Sequence, residues 1–294
     1  MTGHATLLVN PASAKGGSAR VAGEAVRLLG AAGWRTAVIS GDDAAQSLAA
    51  AREQVAEGTD VLAAVGGDGT VHLGVQAVAG TGVPLGVVPA GTGNDFARML
   101  GIPRTDPAAA TRLLMDGRRR TVDLARCGER WFATVLTSGF DALVSHRVNT
   151  LNWPRGKARY QLAIALEGLR LRPFPFRILL DGKSVEQEAV LVAVGNTAYY
   201  GSGLKICPDA AVDDGLLEVT LLRAAGRRQL IGLLPLLKRG AHLGHPLVET
   251  YRAREVEIHA PEVFAYADGE FAGDLPLRIT CAPGAATVLV PFES

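Results

Sequence analysis

Residues 61–95 read VLAAVGGDGTVHLGVQAVAGTGVPLGVVPAGTGND and decide the fold. An apolar run at 61–65 leads into a glycine-rich turn, a helical pattern at 70–79 and a second apolar run at 84–88, which ends in another glycine-rich turn. Short apolar runs that alternate with helical patterns are typical of βαβ units on a parallel sheet. The stretch therefore predicts two parallel strands, each leading into a glycine loop.

The same alternation extends over the first 125 residues and then stops. It predicts further strands at 6–9, 34–39 and 120–125, and further helices at 18–31, 43–57 and 95–100. From residue 126 strand patterns dominate, at 131–137, 176–180, 189–195, 216–222, 256–260, 263–267, 277–281 and 286–291, with helices predicted only at 158–170 and 227–239.

This change of pattern predicts an α/β protein of two domains. The first, over residues 1–125, is a three-layer α/β domain built on a mostly parallel sheet, and such sheets bind ligands at the carboxyl ends of their strands. The second, over residues 126–283, is β-rich and sandwich-like. Residues from about 284 to 294 are candidates to return to the first domain.

Composition excludes several other classes of protein. Lys and Arg number 30 against 29 Asp and Glu, so the net charge of +1 indicates no nucleic-acid partner. No apolar run approaches the length of a spanning helix, and the first residues lack the features of a signal peptide. The three cysteines are scattered and odd in number, which indicates no disulfide framework. We therefore expect a cytoplasmic protein.

Three glycine-bearing loops, at 10–18, 66–70 and 89–95, each follow a predicted strand and lead toward a helix. The carboxyl ends of parallel strands share one edge of a sheet, where open α/β sheets bind ligands. Glycine allows close backbone approach, and free N–H groups at a helix start favour anions, so the loops predict a phosphate cradle. Asp68 and Asp95 in these loops are candidate partners of Mg²⁺, although capping of the helices they precede would also explain them.

Two common phosphate motifs do not fit. The only Gly-Lys-Ser, at 182–184, has Arg177 where a Walker loop needs its first glycine. The dinucleotide pattern Gly-x-Gly-x-x-Gly ends at His72 in one loop and at Phe96 in the other. The sequence thus indicates neither P-loop hydrolysis nor nicotinamide redox chemistry.

An ordered set of motifs resembles the catalytic domain of diacylglycerol kinases and of the bacterial lipid kinases similar to them. Gly-Gly-Asp-Gly-Thr alone is shared with NAD kinases, whereas the Gly-Thr-x-Asn-Asp-x-Ala-Arg stretch is much more particular to lipid kinases. The motifs span nearly the whole chain and are Asn10-Pro11, 66–70, 89–98, Val122-Asp123, 139–142, Gly201-x-Gly203, Pro208-x-Ala210, Asp213-Asp214-Gly215-x-Leu217 and Asp268-Gly269-Glu270.

The resemblance implies a two-domain kinase with its active site in the interdomain cleft, and with ATP and Mg²⁺ as co-substrate and metal. Asp268 would be the base that activates the acceptor, and Glu270 would lie near the nucleotide. The other nucleotide contacts would be Asn10, Pro11, Ala12, Ser13, Ala14, Ser40, Gly66, Gly67, Asp68, Gly69, Thr70, Val71, His72 and Thr92.

The same resemblance implies two magnesium sites. Asp68, Asp95 and Asp123 would hold the magnesium and water network at the phosphates. A separate structural Mg²⁺ would be bound by Asp214 together with backbone carbonyls near Ala211 and Leu216.

Our first hypothesis is an ATP-dependent lipid kinase that phosphorylates a free lipid hydroxyl, diacylglycerol foremost. We also expect transient contact with the inner membrane face through residues 152–177. A homodimer could pair through an exposed strand. The alternatives are a soluble kinase of a small acceptor such as NAD and a nucleotide-binding regulator without catalysis. Asp268 itself stays ambiguous from pattern alone, because Asp-Gly after a strand also predicts a plain hairpin turn.

Overall fold

Strands and helices alternate through the first 127 residues of the computed structural model, which describes residues 3–10, 17–151, 153–154 and 157–292. In chain order they are β1 (His4–Val9), α1 (Gly17–Ala31), β2 (Arg35–Ile39), α2 (Ala44–Ala56), β3 (Val61–Gly66), α3 (Asp68–Val78), β4 (Leu85–Pro89), α4 (Asp95–Met99), α5 (Pro107–Asp116) and β5 (Arg118–Cys127).

Four of these strands form a parallel sheet in the order β2, β1, β3, β4. In its register Leu7 lies opposite Val38 on one side and Ala63 on the other. Every residue of β3 is buried, as in parallel strands that are covered on both faces. The covering helices pack in pairs, α1 with α5 and α2 with α3. The predicted three-layer α/β arrangement is thereby confirmed.

The second half of the chain contains more strands than helices. Its elements are β6 (Arg130–Phe132), β7 (Val135–Gly139), α6 (Phe140–Thr150), α7 (Lys157–Leu169), β8 (Phe174–Leu180), β9 (Lys183–Gly195), β10 (Tyr199–Tyr200), β11 (Leu204–Lys205), β12 (Leu217–Arg223), α8 (Arg227–Arg239), β13 (Val248–Ala253), β14 (Glu255–His259), β15 (Phe264–Ala267), β16 (Glu270–Asp274) and β17 (Leu277–Val290).

The long strand β9 joins the two layers of this half. Its residues 183–189 pair with β8, and its residues 191–195 pair with both β7 and β12. Pairing of β7 with β15, and of β15 with β16, continues one layer to its edge. The predicted sandwich-like architecture is therefore confirmed, and it brings the β15–β16 turn beside β7.

The final strand connects the two halves. Residues 286–290 of β17 pair with β5, and Val288 lies opposite Leu85 of β4. The sequence predicts two strands here, but the structure has one, whose register shifts between Ala282 and Ala286. Gly284, with φ of 65°, occupies that bulge. One sheet runs through both halves of the chain, so the pairing of the strands does not mark where one domain ends. The predicted domain boundary at residue 125 therefore stays a prediction.

Several elements differ from the sequence prediction. The strand predicted at 131–137 is two strands, β6 and β7, and α5, α6, β13 and β16 were not predicted. Helix α6 reads FDALVSHRVNT, which has little apolar periodicity, so its packing against α7 and β7 stabilises it rather than its own propensity. Helix α5 could have been predicted, because Asp followed by Pro is a typical start of a helix. In the structure Asp106 caps α5 by accepting from Ala109 N at 2.9 Å. Within the described residues, no helix is both long and apolar enough to cross a bilayer.

Candidate active site

Two of the glycine loops touch through their backbones at the carboxyl ends of β3 and β4. Ala90 N donates to Gly66 O at 2.8 Å. A Cβ atom on Gly91 would lie 2.5 Å from the Cα of Gly67, closer than any side chain tolerates. Glycine at 91 is therefore required by the approach of the loops, whereas a Cβ on Gly67 would make a tight contact of 3.3 Å with the Cα of Gly91. In the first loop Pro11, Ala12, Ser13 and Ala14 lie outside the described residues.

Asp68 ties the two loops together. Its carboxylate accepts from Asn94 N at 2.9 Å and from Asp95 N at 2.7 Å. Asp68 thus caps the start of α4, the neighbouring helix, rather than the helix it begins. Burial raises the pKa of Asp68; the two backbone donors partly offset this rise, and the charge of Asp268 adds to it.

Asp95 is buried at the crossing point between the two halves of the chain. Ser202 N, from the turn between β10 and β11, donates to its Oδ2 at 2.8 Å. Its Oδ1 is buried without a hydrogen-bond partner in the part of the chain that the structure describes, and Arg98 Nε lies 3.8 Å away. Burial, followed by the charge of Asp68, raises the pKa of Asp95 to about 6. The site therefore holds more negative charge than its protein surroundings stabilise.

The β15–β16 turn brings Asp268 to the same side of the molecule. Asp268 adopts φ of 52°, and its side chain is 4% exposed. Its Oδ1 accepts from Thr134 N (2.9 Å) and Thr134 Oγ1 (2.5 Å), and its Oδ2 accepts from Ala133 N (3.0 Å). His72 Nδ1 lies 3.1 Å from the same Oδ2. Helix α3, which follows the second glycine loop, and the late Asp-Gly-Glu turn thus meet in one cluster.

Hydrogen bonding outweighs burial at Asp268. Burial alone would raise the pKa of this carboxyl, but the His72 bond and charge, with the donors of Thr134 and Ala133, lower it. In the same way burial would lower the pKa of His72, but its bond to Asp268 raises it. Asp268 is therefore ionised at neutral pH and His72 is its stabilising partner.

We predict that the His72–Asp268 pair makes folding stability depend on pH. Because the pKa of folded His72 is raised above 6.5, the pair's contribution is fully present below that pH and is lost as pH rises through the folded pKa. Each unit of pKa difference corresponds to about 1.4 kcal/mol. The measurement is the free energy of unfolding in urea for wild type and His72→Gln at acidic and alkaline pH. A wild-type advantage that grows toward alkaline pH would contradict the prediction.

The remaining nucleotide candidates divide by burial. Thr70 and Val71 are buried at 2% and 4% exposure, so α3 can offer a ligand only their backbone. Gly69, Thr92 and Glu270 are exposed, and Glu270 begins β16 next to the Asp268 turn. Asn10 follows β1 and is half-buried. Ser40 is exposed at the end of β2, where it lines a cavity of about 370 Å³ beside α1.

Asp123 lies in a different cluster from Asp68 and Asp95. Its two carboxylate oxygens accept from Gly215 N at 2.7 Å and from Gly284 N at 2.8 Å. These bonds fasten the turn before β12 and the bulge of β17 to β5. The contacts of Asp123 thus give no support to its predicted place in the magnesium network at the phosphates.

Asp214, the candidate for the structural metal, also lies in this second region. Its carboxylate accepts from Leu216 N at 3.0 Å and forms an ion pair with Arg252. Burial, followed by the charge of Asp209, raises the pKa of the neighbouring Glu218 to about 7. No group of three or more His, Cys, Asp or Glu side chains is arranged as a metal site in the ranges that the structure describes.

Sequence reasoning missed the partners that position the site. Thr134 and Ala133 hold Asp268, yet no motif singles them out. Ser202 could have been found, because it lies inside the Gly201-x-Gly203 motif. Gly203 adopts φ of 103°, a conformation that other residues rarely adopt, and this explains that glycine.

The fold and the site together define a class of protein. The glycine loops of a parallel α/β sheet touch beside buried carboxylates, and the β-sandwich adds an ionised aspartate. Glycine loops at strand ends bind phosphates, and an aspartate can accept a proton from an acceptor hydroxyl. The fold and site are those of a two-domain phosphotransferase.

Comparison with known proteins gives the family. Residues 4–127 match the diacylglycerol kinase catalytic domain, and residues 134–290 match the YegS C-terminal NAD kinase beta sandwich-like domain. A diacylglycerol kinase of Mycobacterium tuberculosis is 42% identical over 98% of this chain and 96% of its own, and one of Bacillus subtilis is 30% identical over 92% and 91%. The crystal structure of a diacylglycerol kinase from Bacillus anthracis is similar, with a TM-score of 0.77, 26% identity and coverage of 98% and 96%.

The chain belongs to the diacylglycerol kinase family, and the predicted lipid kinase is thereby confirmed. Membership in this kinase family implies ATP as the co-substrate. It also decides against the NAD-like kinase and the regulator without catalysis, which the sequence had left open.

Proposed function

We propose that this chain transfers the γ-phosphate of ATP to the free hydroxyl of diacylglycerol and so forms phosphatidic acid. The observation that carries the proposal is the contact of 3.1 Å between His72 Nδ1 and Asp268 Oδ2, which joins residues 196 positions apart. It brings a fixed, ionised carboxylate to the helix that follows the second glycine loop. Such a carboxylate supplies the base that phosphoryl transfer to an alcohol requires.

The protein's part in this reaction is positioning and proton acceptance. Four donors already occupy the Asp268 carboxylate, which has about four lone-pair positions. The acceptor hydroxyl must therefore replace one of them, and the side chain of His72 is the one least constrained by the backbone. As the lipid oxygen bonds to the γ-phosphorus, its proton passes to Asp268 and the bond from that phosphorus to the β-phosphate oxygen breaks, which releases ADP.

Two carboxylates fit a magnesium ion beside the phosphates. The charge of Asp68 contributes to the raised pKa of Asp95, and Asp95 Oδ1 is buried without a partner among the described residues. A divalent cation would stabilise both in ionised form and would offset the charge of the triphosphate. The structural ion is proposed at Asp214 together with backbone carbonyls near Ala211 and Leu216. Because the Asp214 carboxylate already accepts from Leu216 N and pairs with Arg252, the ion would have to displace one of these partners.

A direct assay tests the proposed reaction. Purified protein is incubated with γ-labelled ATP and, separately, with diacylglycerol, phosphatidylglycerol, a sphingoid base, NAD or buffer. Label is expected in phosphatidic acid from diacylglycerol. Label in the NAD arm alone would point to a soluble acceptor, and label in no arm would reject catalysis on these acceptors.

We also propose reversible contact with the cytoplasmic face of the membrane through exposed apolar residues of α7 and through Trp153, which precedes it. Trp153, Ile164 and Leu169 expose 79%, 48% and 65% of their surface, whereas Phe174 and Phe176 are buried in the sandwich core. Exposed apolar side chains among arginines are typical of interfacial helices. An edge strand, β2 or β16, would be the pairing element of a homodimer.

Vesicle flotation checks the membrane contact. Wild type is expected to float with vesicles of phosphatidylcholine and phosphatidylglycerol, and Leu169→Ser to float several-fold less, because it removes exposed apolar area. Phe292→Ser is the control, since Phe292 is 69% exposed outside this segment. Equal loss in both variants, or no flotation of wild type, would contradict the contact.

A further inference from the structure

A second cavity, of about 520 Å³, lies between α6, α7 and β15. The residues that line it come from these elements and from the segment after α7, and none of them belongs to the glycine loops. Leu143 and Phe264 contribute its apolar wall. The cavity is thus separate from the nucleotide crevice, although it is built on the strand that leads to Asp268.

The charges around this cavity are unequal. Three arginines and one glutamate line it, which leaves a net charge of two positive units when His146 is neutral. The glutamate, Glu167, is 6% exposed and is already paired with Arg147. Arg170 and Arg172 are therefore the surplus cations, and neither has an acidic partner in the contacts of the described ranges.

One of the surplus arginines is held in place by an aromatic ring. The guanidinium of Arg172 stacks over the ring of Phe174 at 5.1 Å, which leaves its edge free to donate. Arg170 follows directly after α7 and is exposed. A planar guanidinium presents paired N–H donors that match two oxygens of a phosphate.

We propose that this cavity binds the phosphate group of an anionic membrane lipid. The two arginines would clamp the phosphate, and the wall of Leu143 and Phe264 would contact the adjoining acyl region. The exposed Leu169 beside it would face the bilayer. The assignment to a lipid, rather than to a free phosphate ester, rests on the proposed function.

Helix α6, which lines the cavity, is hydrogen-bonded to the segment that carries Asp268. His146 Nδ1 lies 3.1 Å from the hydroxyl of Tyr266, which is two residues before Asp268 on β15. Asn149 Nδ2, on the same helix as His146, lies 3.5 Å from Gly269 O. A lipid phosphate held against α6 would therefore orient the Asp268 turn toward the membrane that contains the acceptor.

The test is a binding measurement that needs no turnover. Calorimetry with the full chain, saturated with a non-hydrolysable ATP analogue, uses monomeric dihexanoyl phosphatidylserine as the lipid probe. Glycerol 3-phosphate and inorganic phosphate are the free phosphates, and dihexanoyl phosphatidylcholine is the zwitterionic control. The double variant Arg170→Ala/Arg172→Ala is compared with Arg52→Ala/Arg112→Ala, which removes the same charge from exposed positions on α2 and α5.

The lipid phosphate is expected to bind wild type and the control variant equally, and the Arg170/Arg172 variant at least about tenfold more weakly. It should also bind at least about tenfold more tightly than either free phosphate. If glycerol 3-phosphate bound as tightly as the lipid phosphate, the assignment to a lipid would be wrong. If the lipid phosphate bound the Arg170/Arg172 variant as tightly as wild type, or did not bind wild type, the proposed pocket would be wrong. Failure of the labelled-ATP assay with binding intact would reject the proposed reaction and leave the pocket standing.

Discussion

Asp268→Asn is expected to lower turnover about 10²- to 10⁴-fold, the contribution of a general base, while the affinity for ATP stays near that of wild type. An amide cannot take the proton of the acceptor hydroxyl. Its oxygen can keep the two donors of Thr134, but its NH₂ group then faces Ala133 N–H. The variant should therefore also lose about 1–3 kcal/mol of stability, because a buried donor is left unpaired.

The chain contains its own control for this experiment. Asp181 begins another Asp-Gly hairpin turn, with φ of 48°, and accepts from Arg254 N (3.1 Å) and Glu255 N (2.9 Å). Asp181→Asn should lose less stability, because Asp181 is exposed and one amide oxygen can keep both donors. It should keep full turnover, since that turn carries none of the candidate site residues. Steady-state kinetics and urea unfolding of both variants make the comparison. Near-normal turnover in a folded Asp268→Asn protein would remove Asp268 from the role of base.

The comparison of the two Asp-Gly turns also shows what the sequence can and cannot predict. Both follow a strand and both are hairpin signals, so local pattern cannot tell them apart. The two aspartates differ in the residues that contact their carboxylates. The pairing of β15 with β7 sets Asp268 against Thr134, and helix α3 brings His72 to it. Such partners depend on strand register, which a short motif does not encode.

The glycine loops were predictable for the opposite reason. The loops after β3 and β4 follow neighbouring parallel strands, so the sheet alone brings Gly67 and Gly91 together. The role of Asp123 was not predictable. Its partners, Gly215 and Gly284, lie 92 and 161 positions away. Gly284 reaches it because β17 returns beside β5, and Gly215 lies in the turn before β12.

Asp68→Ala is expected to raise the KM for ATP about tenfold or more and to raise the magnesium concentration needed for half-maximal activity. The change removes the acceptor of both Asn94 N and Asp95 N, so the two glycine loops lose the bonds that join them. Two unpaired buried donors correspond to about 2–6 kcal/mol of lost stability. It also removes the charge that helps to raise the pKa of Asp95 to about 6, so that pKa should fall.

The effects on the KM for ATP and on the magnesium requirement distinguish a role of Asp68 in positioning the loops from a role as a helix cap alone. Asp43→Ala is the matched control, because Asp43 caps α2 by accepting from Gln46 N at 2.8 Å and lies outside the site. It should cost about 1 kcal/mol and leave the KM for ATP unchanged. Asp68→Asn, which keeps one acceptor oxygen, should fall between wild type and Asp68→Ala in stability and still show the raised magnesium requirement. If both Asp68 variants kept wild-type ATP and magnesium dependence, the carboxylate would serve only as a cap, and the metal proposal would lose its first ligand.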